Sequence, residues 1–170
     1  MKIKTLAAIL IAACSLSAIA ADNVNINVTG NIIASPCIVN GGSTGLTVDL
    51  GNIQATALSS PGSSSAPIDF TLSITNCPAG TSSVKTTFTG TPDTVAGSSY
   101  YKNSGTATNL AVQLTQVSTG NAIGNGATIT QTVQADRTAS IAMKAKAYSS
   151  AGGAMPGSIN AVIVTTMQYN

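Results

Sequence analysis

Apolar and polar residues alternate with a period of two through much of this chain, most clearly at its two ends. From Ile159 onward one face reads Ile159, Ala161, Ile163, Thr165, Met167 and Tyr169. The other reads Asn160, Val162, Val164, Thr166, Gln168 and Asn170. Such alternation predicts a β-strand, with Gly157 marking the turn that admits it. The strand is expected to reach the last residue, so no later segment could pair with its free edge, and a bare edge invites another chain. Near the start, Val24, Ile26, Val28, Gly30 and Ile32 alternate with Asn25, Asn27, Thr29 and Asn31. This too reads as a strand, with one glycine where a side chain should be. Either it tucks into its own sheet or it is a spare strand lent to a neighbouring molecule.

Between these ends nothing reads as a helix of useful length. Cys37-Ile38-Val39 leads into an Asn40-Gly41-Gly42 turn, after which Leu46, Val48 and Leu50 alternate. Residues 55–67, rich in Ala, Ser and Pro, read as a loop. Ile68, Phe70, Leu72 and Ile74 mark a strand that ends at Cys77-Pro78, and Val84 to Thr89 mark another. A long loop is expected through Asp93, Gly97, Tyr100-Tyr101 and Gly105. Leu110, Val112 and Leu114 begin the next strand, and Asn125-Gly126 is a hairpin signal joining it to Ile129 and Val133. Ile141, Met143, Ala145 and Ala147 precede a Gly152-Gly153 turn and the last strand. Short strands punctuated in this way predict an all-β sandwich in one domain, without repeat or linker. With two Phe, four Tyr and no Trp, its core is modest.

Residues 1–20 break the pattern. Lys2 and Lys4 form a positive start, Leu6 to Ala13 an apolar stretch, and Ala18-Ile19-Ala20 a small-residue cleavage site, the signature of a secretory signal peptide cut after Ala20. A competing cut at Ile11-Ala12-Ala13-Cys14, of lipoprotein type, would leave the downstream site without purpose. Removing the leader changes the charge. Lys85, Lys102, Arg137, Lys144 and Lys146 remain against Asp22, Asp49, Asp69, Asp93 and Asp136, so the mature chain is formally neutral. The sequence holds no run of Lys and Arg that would suit a nucleic acid. Neutrality instead favours association.

Two cysteines survive cleavage, Cys37 and Cys77, and an even pair in an exported chain reads as a disulfide. A metal site has weak support, because the chain has no His. The same absence rules out a Ser-His-Asp or Cys-His arrangement within one chain. The Asp residues are scattered and no Glu accompanies them, which gives a two-carboxylate site little footing. No glycine-rich phosphate loop opens a helix. Asn27-Val28-Thr29 matches a glycosylation sequon, a match short enough to arise by chance. Tyr100-Tyr101 could stack on a sugar or pack their loop onto the sandwich. The expectation is a protein with no catalytic residue, metal, cofactor or small-molecule substrate.

Taken together, these features resemble the pilins of chaperone–usher fimbriae. Members of that family carry a glycine fourteenth from the end and a penultimate tyrosine; here these are Gly157 and Tyr169. The likeness is nearest to the small adaptor subunits at the tip of type 1 fimbriae. Thr75-Asn76-Cys77-Pro78-Ala79-Gly80-Thr81-Ser82 and Tyr100-Tyr101-Lys102-Asn103-Ser104-Gly105-Thr106-Ala107 carry it, and 59–67 match least well.

The resemblance implies an immunoglobulin-like sandwich lacking its seventh strand and completed by donor-strand exchange. It divides the chain into a signal peptide (1–20), a donor arm (21–33) and a pilin domain (34–170). Val24, Ile26, Val28 and Ile32 would be the donor knobs, with Gly30 placed where the acceptor groove is shallow. Gly157, Ile159, Ala161, Ile163, Met167, Tyr169 and Asn170 would belong to the groove-edge strand. Which face of that strand lines the groove is open, because a register shift of one residue swaps the faces. The implied partners are neighbouring pilins arranged head to tail, a periplasmic chaperone meeting the Asn170 carboxylate with basic residues, and an outer-membrane usher. The implied place is the fimbria on the cell surface, supporting cell adhesion. The alternatives are a major shaft subunit or a sugar-binding adhesin. Against the adhesin, two-domain adhesins carry a lectin domain for which this chain has no room, and they lack a donor arm.

Overall fold

Alternating runs become ladders wherever a second such run lies alongside. The computed structural model describes residues 24–32 and 36–170, which hold ten strands. They are β1 (Ile38–Val39), β2 (Ser63–Ser64), β3 (Ile68–Thr75), β4 (Ser83–Gly90) and β5 (Pro92–Asp93), followed by β6 (Gly97–Lys102), β7 (Ala111–Gln116), β8 (Thr128–Thr132), β9 (Ala139–Ser149) and β10 (Ile163–Tyr169). The expected signal peptide, both of its candidate cleavage points and the boundary between residues 33 and 34 lie outside the described residues.

All pairings are antiparallel. The larger sheet runs β1-β3-β9-β7-β6-β5, with β2 also paired to β9; the smaller runs β10-β4-β8. In the larger sheet Leu72 stands level with Ile141, and Leu114 with Ala145. Their side chains meet Phe88 of β4 and Ile129 of β8, so the core lies between the two sheets. The sandwich is all-β, as the alternation predicts. Cys37 and Cys77 are bonded, with Cα atoms 4.3 Å apart, and tie the entry of β1 to the exit of β3. Closing a loop of 40 residues contributes about 4 kcal/mol on chain-entropy grounds.

Several local expectations are corrected. Tyr100 and Tyr101 lie on β6, not in a loop. Asp93 Oδ1 accepts the Val95 and Ala96 N–H groups, a capped turn that folds β6 back along β5. Asn125-Gly126 does turn the chain, with Gly126 at φ +81°, but makes no hairpin between β7 and β8. Those strands belong to different sheets, and the Gly126 N–H instead donates to the Phe88 carbonyl on β4. The 55–67 loop contains a single 3-10 turn, Ala55–Leu58, and the short β2.

Three alternating runs are not strands where expected. Leu46 to Leu50 join no ladder, although Val48 and Leu50 are half-buried against the core. Residues 24–32 form no strand within this chain, and the last strand begins at Ile163 rather than Ile159. Alternation supplies a face, but a ladder needs a partner backbone.

Candidate functional site

The final ladder is one-sided. β10 pairs with β4 along its whole length, from Ile163 opposite Gly90 to Tyr169 opposite Val84. Among the described residues no strand pairs with its other edge. The alternation leaves Ile163, Met167 and Tyr169 half-buried toward the core, while Val164, Thr166 and Gln168 face out. Thr165 shares the inward parity and is nevertheless exposed. Beside it opens a depression of about 310 Å³, lined by Val39, Ser43, Thr44, Thr165, Met167 and Tyr169.

The opposite wall is equally short of partners. From Thr44 to Leu50 no backbone hydrogen bond reaches another segment among the described residues; the polar contacts there are local, such as Ser43 Oγ to the Gly45 carbonyl. Val39, Val48 and Leu50 on this side pack against the same core as Ile163 and Met167. A trough of mixed polar and apolar lining, flanked by main chain that is unpaired among the described residues, is a place for an extended segment, whose backbone supplies hydrogen bonds and whose alternate side chains fill the trough.

Thr86 is fully buried opposite Met167, and its hydroxyl has no partner among the described residues. The Tyr169 hydroxyl points to Met167 Sδ at 3.7 Å, and burial pushes the Tyr169 phenol above its ordinary pKa. Asn170 closes the strand: its carbonyl accepts the Ser82 N–H at 2.6 Å and the Ser82 hydroxyl at 3.1 Å.

Ile159 and Ala161 are half-buried on the same core but precede β10. Their stretch is stitched to the segment after β6. The Ser104 N–H donates to the Asn160 carbonyl at 2.7 Å, the Ala107 N–H to the Ser158 carbonyl at 3.0 Å, and the Asn160 N–H to Asn103 Oδ1 at 2.8 Å. Gly157 sits at a bend, and close approach requires it: a Cβ there would lie 2.3 Å from the Ala107 nitrogen.

Residues 24–32 are described separately. Val24, Ile26, Val28 and Ile32 are 80, 85, 87 and 104 % exposed, and a Cβ at Gly30 would meet nothing within 4 Å. The structure therefore brings Met167 and Tyr169 to one trough, keeps Ile163 on the same strand against the core, and leaves Gly157, Ile159 and Ala161 outside the strand. Sequence reasoning missed Val39, Ser43 and Thr44, which only tertiary folding brings opposite β10. Thr165 carried a visible signal as the polar residue on an otherwise apolar face.

A family model described as Fimbrial protein matches residues 26–170. Protein FimG of Escherichia coli (strain K12) is 42% identical over 168 residues, covering 97% of this chain and 95% of that protein. The S-fimbrial adhesin protein SfaS of Escherichia coli O6:K15:H31 (strain 536 / UPEC) is 37% identical over 172 residues, 99% of each. Among solved structures, the P pilus rod subunit PapA superposes with a TM-score of 0.65 at 23% identity, covering 80% of this chain and all of that one.

Proposed function

We propose, starting from the fact that this chain belongs to the fimbrial protein family, that it polymerises by donor-strand exchange as a minor or tip-adaptor subunit of a chaperone–usher fimbria. One observation carries the reading: an edge of β10 that is unpaired among the described residues, the trough beside it and an exposed alternating arm all occur in one chain. Each subunit would lend residues 24–32 to the trough of a neighbour and receive a comparable strand in its own. Val24, Ile26, Val28 and Ile32 would be the side chains buried, each contributing about 1.5–3 kcal/mol before the cost of ordering the arm. Donor and acceptor are different surfaces, so the contact does not close on itself and builds a filament. A subunit of this kind needs a periplasmic chaperone to cover the trough before assembly and an outer-membrane usher at which to exchange it. Export to the cell surface follows from the same scheme. The adaptor assignment rests on the likeness of residues 75–82 and 100–107 to tip adaptors.

The test uses chaperone-bound protein and synthetic peptides spanning the arms of candidate neighbours. A fitting peptide displaces the chaperone and raises the midpoint of thermal unfolding, since it binds only the folded chain. Gly30→Leu in a donor peptide should abolish displacement. A mature chain lacking residues 21–33 that stays stably folded, with neither chaperone nor peptide, would overturn the proposal.

A further inference from the structure

The lysines that the sequence scatters are gathered by the larger sheet. Lys102 on β6 stands level with Ala111 on β7, which stands level with Tyr148 on β9. In the next row Gln113 on β7 stands level with Lys146 on β9, and the same register brings Tyr100 of β6 alongside Gln113. One row further, Lys144 pairs with Asp69 of β3, Nζ to Oδ1 at 3.5 Å. Three of the five basic residues that follow the leader thus share the solvent face of one sheet, with one carboxylate among them.

Two aromatic rings occupy the same face. Tyr100 and Tyr148 reach across β7 and stack, with centroids 4.5 Å apart and planes 22° from parallel. Beneath them Ala111 is 1 % exposed although it lies on the outer face. The small residue lets the rings lie over the sheet, which fixes a platform rather than two loose side chains. Lys146 is anchored by Ser64 Oγ at 3.4 Å, whereas Lys102 has no ion-pair partner among the described residues. At the Tyr148 end a depression of about 140 Å³ is lined by Asp93, Val95, Asn109, Tyr148 and Ser150, among others. That volume is far below an ordinary drug-sized site and suits part of a sugar ring.

We infer that this face binds an acidic glycan, a sugar chain bearing carboxylate or sulfate groups. The tyrosine pair offers an apolar surface to the C–H face of a pyranose, and Lys102 and Lys146 flank it with positive charge for the anionic group. Asp93 repels an anion at the far end of the platform, and Asp93 and Asn109 offer oxygens that accept from sugar hydroxyls, which gives the bound chain a direction. Val95, at the depression, is an exposed aliphatic side chain at 74 %, but the rings are flanked by lysines, a residue type that protein interfaces deplete. The site lies on the larger sheet, whereas the trough beside β10 borders the smaller one, so the inference stands apart from strand exchange.

The experiment titrates the mature chain, with and without a saturating arm peptide, against three oligosaccharides of equal length. One is sulfated, one carries carboxylates only, and one is neutral. The expected result is binding of an anionic probe at least 10-fold tighter than the neutral one, weakening as salt rises. The two anionic probes separate sulfate from carboxylate as the preferred group. Lys102→Ala with Lys146→Ala should lose at least 10-fold. Tyr148→Leu should lose as much at every salt concentration, and Tyr148→Phe should keep most of the binding. Lys85→Ala, on the opposite sheet, should change nothing. Equal affinity for neutral and acidic probes, no binding of any probe, or equal losses in Lys85→Ala would overturn the inference. Anion-induced association of the chain with itself would overturn it too, by making the face a protein contact.

Discussion

Gly90 of β4 and Tyr101 of β6 meet across the sandwich: a Cβ on Gly90 would lie 2.8 Å from Tyr101 Cδ1 and 3.0 Å from the Val162 carbonyl oxygen. The missing side chain lets the two sheets and the entry to β10 close on one another. Gly90→Ala should therefore cost about 1–3 kcal/mol through overpacking. A lower urea midpoint with an unchanged slope would be the readout, and an unshifted midpoint would refute the close fit.

Tyr101 is 1 % exposed, its hydroxyl has no partner among the described residues, and burial pushes its phenol up to about 12. Its folded value exceeds the unfolded one of about 10, so the unfolded chain sheds the proton first as pH rises. The Tyr101 contribution to stability should be constant below about pH 10 and fall by about 1.4 kcal/mol per unit between roughly 10 and 12. Tyr101→Phe should remove that share of the alkaline slope, and at neutral pH it should leave stability equal or about 1 kcal/mol higher. Parallel pH–stability curves for the two proteins would show that the phenol is not shielded.

Thr86 is fully buried opposite Met167 with its hydroxyl unpaired among the described residues. Replacing the hydroxyl by a methyl group in Thr86→Val should stabilise the chain by about 1–2 kcal/mol, the desolvation of an unsatisfied group. Thermal and urea unfolding would measure it. A loss of similar size would mean that the hydroxyl has a partner in solution.

Two glycines should respond in opposite ways. Gly157→Ala places a Cβ against the backbone of Thr106 and Ala107, at 2.3–2.7 Å, and should cost about 1–3 kcal/mol. Gly30→Ala meets nothing within 4 Å and should leave the monomer unchanged. Equal stability of the two variants would contradict the close approach at Gly157.

Reducing the Cys37–Cys77 bond, or replacing both residues by Ser, should lower stability by about 4 kcal/mol, the entropy released by opening its loop. Denaturant curves with and without reductant would test this. A shift below about 1 kcal/mol would mean that the unfolded chain gains little freedom.

The strands legible from alternation, β3, β4, β7, β9 and β10, find antiparallel partners along most of their length, although β10 carries Thr165 on its inward face and Val164 on its outward one. Tyr101 was misread because nothing local separates a strand tyrosine from a loop tyrosine. Its place is set by the Asp93 turn and by the space that Gly90 leaves. Asn125-Gly126 was misread because a turn signal gives a change of direction but not the sheet to which the chain returns.

The sequence by itself determined the sandwich, the pairing of its two cysteines and two end segments with alternating faces, since a period of two and an even cysteine count are local properties. Tertiary structure alone decided that β4 takes one edge of β10, that Ser43 and Thr44 face Thr165 across a trough, and that Lys102, Lys146, Tyr100 and Tyr148 share one surface. These are distances between residues far apart in the chain, set by which strands pair and in what register.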